Sequence, residues 1–319
     1  MQTLVFDSSS LPEKRWSALC DRAEAATIFH QSIWSRLWEK VRRDARAEWH
    51  ILTDDHGKWI GGLPLVRFTR LGINRLYSQP LGSYGGWIGQ QLPEHLDAVS
   101  GLLRQLRRPT VAEFVITPYV SADPIGYPGR KIERQRYALD LSAEGDNGHW
   151  STRLRPDMAR NLKTAQQHGW RIDVVESIAD VLSQQNLWAE TVARHGRTFD
   201  PVRWKLYQLL VEHCSIGRQL FWWTATDDRG PAATMICFHS ADRFFYFDGA
   251  MDLDRKDGRP MFVLFAQALN TARELGCRIF DFGSGPKQAA GLARFKEGWG
   301  ARAETYYEYH FRRAWWPKR

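Results

Sequence analysis

Hydrophobic and polar positions alternate along this chain in two recurring patterns. QSIWSRLWEKVRR (31–43) places Trp34, Leu37, Trp38 and Val41 on one face at helical spacing. An extended run, a DDHG turn and a second extended run follow in EWHILTDDHGKWIGGLPLVRF (48–68). PVRWKLYQLLVEH (201–213) repeats the helical pattern with Trp204, Tyr207 and Val211, and QLFWWTATDDRGPAATMICFH (219–239) repeats the hairpin around DDRG. An Asp-Gly-type turn between β-branched and aromatic runs is a hairpin signal with a mechanism, because such turns need residues that tolerate positive φ. Two helix-then-hairpin units with matching turn chemistry predict an internal duplication.

Further helices are predicted near 93–107, over the basic stretch RPDMARNLKTAQQHGW (155–170), over 187–196 and over PMFVLFAQALNTARELGC (260–277). The last begins with Pro and ends with Gly276, as helices prefer. Strands are predicted at 113–120, 137–142, 243–250, 278–285 and 304–311, and GLARFKEGWG as a short helix. Such an order predicts an α/β protein with mixed (α+β) sheets. The polar stretch SAEGDNGH (142–149) divides it into domains of residues 1–145 and 146–319, with the last strand or tail able to pack back on the first.

A formal net charge of +8 favours polyanionic partners: nucleic acid, nucleotide-linked substrates or anionic lipid. The 15 tryptophans fit either aromatic-rich cores or flat stacking surfaces. Four scattered cysteines form no C-x-x-C pair, which argues for a reducing compartment and against a zinc or disulfide framework. The first residues lack the pattern of a signal peptide, and no apolar run has the length of a membrane span. A cytoplasmic protein able to visit a membrane surface is expected, with the oligomeric state left open.

Asp281-Phe282-Gly283 matches the magnesium-binding triplet of protein kinases, but no glycine-rich loop, V-A-I-K strand or H-R-D loop precedes it. His30, His168, His195 and His213 show no metal-ligand spacing, and no G-x-S-x-G elbow occurs, so no metal and no covalent intermediate are expected.

The second half, from the DDRG turn through FFYFDGAMD, the Pro-led helix, FDFGSG and GLARFKEGWGA, resembles the GNAT-type acyltransferase fold. More narrowly it resembles the Fem-type peptidyltransferases, which carry two GNAT-like domains in tandem. FHQSIWSRL (29–37) is similar to their Q-S-x-x-W element, and Arg160-Asn161-Leu162 to their basic helix. The resemblance implies an N-acyltransferase whose donor is aminoacyl-tRNA and whose acceptor is an amine on a peptide or nucleotide. It implies no cofactor and no DNA partner. An acyl-CoA-dependent enzyme acting on a sugar amine or small peptide is the alternative, and a non-catalytic RNA or glycan binder the third reading.

Within that resemblance Lys296 would supply positive charge to the transition state, with Phe295 beside it; otherwise it is an exposed helix lysine over a core Phe295. Asp281 would be a general base or a structural partner. Arg194, Tyr84, Trp34 and Lys40 would serve the acceptor. Trp38 stands where family members can carry a lysine, with Lys40 two positions on. Arg194 equally suits a surface helix charge, and the GSYGG loop around Tyr84 a plain tight turn. Arg255, Gly258 and Arg259 stand nearest the phosphate loop of CoA-dependent GNAT enzymes, although Pro260 replaces its final small residue.

Overall fold

A computed structural model describes residues 2–90, 110–119, 129–142, 149–194, 196–284 and 290–313. The chain divides into two units, Met1–Arg134 with Thr305–Arg319, and Gln135–Glu304. The first contains β1 (Gln2–Asp7), α1 (Glu13–Arg22), α2 (Ser32–Val41), β2 (Ala45–Thr53), β3 (Trp59–Arg70), β4 (Ile73–Tyr77), β5 (Ile88–Gly89) and β6 (Thr110–Val115). The second contains β7 (Arg130–Asp140), α3 (Pro156–His168), β8 (Arg171–Val174), α4 (Ile178–Ser183), α5 (Gln185–Ala193), α6 (Pro201–His213), β9 (Leu220–Asp227), β10 (Gly230–Ser240), β11 (Arg243–Met251), α7 (Pro260–Glu274), β12 (Ile279–Ser284) and α8 (Ala290–Gly298). The final strand, β13 (Arg302–Arg313), pairs with β6 through Glu308–Arg313 and so completes the first unit.

The strands of the two units share one plan. In the first the order is β1-β2-β3-β4-β6-β13, and in the second it is β8-β9-β10-β11-β12-β7. Each runs antiparallel except for one parallel pair in the same place, β4 with β6 and β11 with β12. The repeated hairpins are β2–β3 and β9–β10, in equivalent positions. Their turns are built alike: Asp54 accepts the amides of His56 and Lys58, Asp227 accepts that of Arg229, and Gly57 and Gly230 take positive φ. These are the aspartate-anchored turns the sequence predicts.

The sequence places the domain division at 145/146, whereas the units meet at Arg134/Gln135, within β7. The physical reason is pairing: β7 bonds to β12 through 136–140, which ties the stretch before the polar loop to the second unit. The helix predicted near 93–107 and most of the linker lie outside the described residues.

α7 shows why the second unit folds as it does. Pro260 opens it, and Phe262, Phe265, Ala268, Leu269 and Ala272 face the sheet at helical spacing. Gly276 then stops it at φ +70°. Its stripe packs on β9–β11 with α3 alongside, around Trp223, Phe244, Phe280, Phe282 and Trp299. Each such side chain contributes about 1.5–3 kcal/mol on burial. Every tryptophan among the described residues is buried. These tryptophans are therefore core residues, and none of them offers the stacking surface that the glycan- or RNA-binder reading needs.

Candidate functional site

β11 and β12 pair at only three positions, Arg243↔Ile279, Phe244↔Phe280 and Phe245↔Asp281. Beyond them β11 continues to Met251 and β12 to Ser284 without pairing to each other, so the two strands part. A bulge lies at that point: Ile236 faces Asp248 and Cys237 faces Tyr246, leaving Phe247 as the extra residue. Bulges of this kind end pairing and re-aim side chains beside functional sites.

Next to the gap lies a cavity of about 320 Å³ lined by Tyr246 and Met251 of β11, Met261, Phe262 and Phe265 of α7, and Leu292, Phe295 and Lys296 of α8. Lys256 and Arg259, from the loop before α7, complete it. Arg259 caps α7 in left-handed backbone, at φ +54°, an uncommon conformation for a residue with a side chain.

Lys296 is not the exposed helix lysine of the alternative reading; it is 2% exposed. Its Nζ donates to the carbonyls of Gly283 at 2.8 Å and Ser284 at 3.0 Å, and stands 5.4 Å from the centre of the Tyr137 ring. Burial lowers its pKa from the ordinary 10.5 to about 8, with the Asp281 charge opposing the shift. Gly283 takes φ +71°, which only glycine adopts cheaply and which brings this backbone under the ammonium. Phe295 is half-buried against Phe262, Phe265 and Trp299, so it lines the cavity as well as the core.

Asp281, fully buried, accepts from Arg136 at 2.7 Å and from the Gly283 amide at 2.7 Å. Arg136 also reaches Glu304. This is the geometry of the structural partner, and the pair fixes the start of the loop that holds Lys296.

The other expected residues are placed differently. Arg255 donates to Asp252 at 2.8 Å, to Asp227 at 2.9 Å, to the Gly230 carbonyl at 2.7 Å and to the Pro231 carbonyl. It braces the β9–β10 turn instead of waiting for a phosphate. Gly258 makes room for Trp170, whose indole donates to its carbonyl at 2.6 Å. A Cβ there would stand 2.6 Å from the Trp170 ring, so Gly258→Ala is expected to cost about 1–3 kcal/mol in denaturant unfolding. Arg194 is exposed and donates to the Met251 carbonyl at 2.7 Å, at the border of the cavity. Trp34 and Tyr84 lie in the first unit's core, 1% and 5% exposed, with no face to offer an acceptor. Lys40 is exposed on α2.

In the first unit the corresponding gap is closed. Ser78 donates through its amide to Glu113, its hydroxyl accepts the Val115 amide, and Gly85 bridges Val115 and Thr117. A Cβ on Gly85 would meet Ser78 at 2.8 Å. The GSYGG loop thus seals its own sheet, and the glycine is there for close approach.

Residues 152–297 match the family model described as an acetyltransferase (GNAT) domain. That segment forms a GNAT-type acyltransferase domain. No curated protein matches the chain. Among solved structures it is similar to FemX, with 11% identity and a TM-score of 0.67 over 96% of this chain and 97% of that one. It is also similar to L-PGS from Bacillus licheniformis, with 14% identity and a TM-score of 0.57 over 96% and 93%. A tandem GNAT protein from the clavulanic acid biosynthesis pathway gives 8% identity and a TM-score of 0.55, over 98% of each chain. At these identities the likeness is one of fold, and it supports the tandem GNAT plan and the resemblance to Fem-type proteins.

Of the residues named from the sequence, Lys296, Phe295 and Arg259 are brought by the fold to one cavity. The sequence did not reveal Tyr246, Met251, Met261, Phe262, Phe265, Leu292 and Lys256, because an apolar stripe that lines a cavity has the same spacing as one that fills a core. Arg136 was hidden in the basic run GRKIERQR.

Proposed function

We propose that the chain forms an amide by moving an acyl group from a phosphate-bearing carrier to an amine, with Lys296 as the electrostatic catalyst. The observation that carries this reading is the buried ammonium of Lys296 on a cavity lined by aromatic and aliphatic side chains, with Lys256 and Arg259 also in its lining. A neutral amine attacks the acyl carbon and a C–N bond forms. The bond from the acyl carbon to the carrier breaks, and the proton lost by the amine balances the one the carrier gains. Negative charge develops on the acyl oxygen meanwhile, and a preorganised cation in a water-poor site stabilises it.

Aminoacyl-tRNA is the donor we place first, on the net charge of +8 and the fold shared with FemX. The acceptor is then an amine on a peptide or nucleotide. An acyl-CoA is the second reading, favoured by one observation: no carboxylate stands among the described cavity residues to meet an aminoacyl ammonium. Transfer of labelled amino acid from charged tRNA to amine acceptors, abolished by RNase, tests the first. Turnover of acyl-CoA, with protection of the fold by CoA, would replace it with the second.

The pKa of about 8 gives the reaction a pH signature. The charged form prevails below that value, so kcat is expected to fall as pH rises through about 8. A rate that climbs over that range would make Lys296 a base instead. Stability moves the other way: between about 8 and 10.5 the unfolded chain binds the extra proton, so this residue's contribution to stability rises with pH across that window.

A further inference from the structure

The turn between β3 and β4 carries two peculiarities at once. Leu71 and Gly72 form a two-residue hairpin turn, Arg70 pairing with Ile73, and both take positive φ, +50° and +76°. Such a turn favours Asn-Gly, and a leucine at its first position is strained. Leu71 is also 90% exposed. A bulky apolar residue in strained backbone, wholly in water, gains nothing from the fold that holds it.

Its neighbours share a character. Ile73 and Arg75 point to one face of β4, and Arg75 stands beside Val111 of β6, which stands beside Arg312 of β13. Ile73 and Val111 are 40% and 41% exposed, and Arg70, Arg75 and Arg312 are exposed as well. Among the described residues the nearby carboxylates are occupied or withdrawn: Arg42 holds Asp44 through two bonds, and Glu113 is half-buried, its pKa raised by burial. One end of the first unit therefore presents three arginines around three aliphatic side chains. Exposed aliphatics have no value against RNA, which rewards stacking aromatics. Against a bilayer they enter the interface while the arginines meet lipid phosphates.

We propose that this end of the first unit, with Leu71 at its tip, docks on an anionic membrane surface. The docking stands independently of the acyl-transfer reading. The test is co-sedimentation of the full chain with mixed phosphatidylcholine–phosphatidylglycerol vesicles, against vesicles of phosphatidylcholine alone. Wild type is expected to sediment with the anionic vesicles and to be released by salt. Leu71→Asn relieves the turn, so its melting temperature should hold or rise, while vesicle binding falls at least about tenfold. Arg70→Gln with Arg75→Gln should weaken binding to anionic vesicles with the fold intact. Wild type that ignores anionic vesicles, or Leu71→Asn that binds as wild type does, overturns the proposal. So does a double arginine variant that loses bulk tRNA binding but keeps vesicle binding, which would make the surface an RNA site.

Discussion

Lys296→Met is expected to slow acyl transfer by about 10²–10³-fold, the scale of losing one preorganised electrostatic donor. The fold should survive the change. Burial already disfavours the ammonium, as its lowered pKa reports, and a methionine of similar length fills the same space. The loss is two bonds to the Gly283 and Ser284 carbonyls, with the weaker contacts to the Tyr137 ring and the Asp281 charge. Lys296→Arg should restore only part of the rate, because a planar guanidinium cannot occupy the position of a compact ammonium between those carbonyls. Single-turnover rates on the amine identified by the donor assay, beside melting temperatures, separate chemistry from folding. Wild-type turnover in Lys296→Met would remove the residue from the mechanism.

Asp281→Asn should produce the largest stability loss, about 3–5 kcal/mol, because it leaves the Arg136 guanidinium buried with its principal counter-charge gone. A domain the size of the second unit would then melt roughly 6–20 °C lower. Glu304 also touches Arg136, but its side chain is 47% exposed, so Glu304→Gln should cost no more than about 1 kcal/mol. Chemical denaturation of the three proteins measures the difference. Equal and small losses would mean that water or the remaining carboxylate supports Arg136 well enough, and that Asp281 has no special structural weight.

The parts of this fold that were legible in the sequence are those written in local chemistry. Asp54 and Asp227 announce their turns, Pro260 and Gly276 bound α7, and the repeated helix-hairpin pattern leads to two units with one strand plan. β1 and β8 escaped because both lie at sheet edges and present no buried face to set an alternation. Long-range pairing escaped too. Arg136 and Asp281 are 145 positions apart, and nothing in a basic run says which arginine will be buried. Trp34 and Tyr84 show the converse: the motif that named them survives, but packing turns both inward. Lys296 was found through its motif, while its burial, and hence its lowered pKa, depends on how α8 meets the loop after β12.

The pairing of β13 with β6 bears on how the chain is made. A ribosome delivers the first unit's helices and strands early, yet the strand that covers β6 arrives only with Glu308–Arg313, after all of Gln135–Glu304 has been synthesised. The second unit is continuous and can close as soon as β12 and α8 emerge, whereas the first must wait with the edge of β6 open. An unpaired edge is a template for wrong partners. Chains truncated before residue 308 should thus hold a finished second unit attached to an unfinished, chaperone-dependent first one, the reverse of the usual order in which the amino-terminal part folds first.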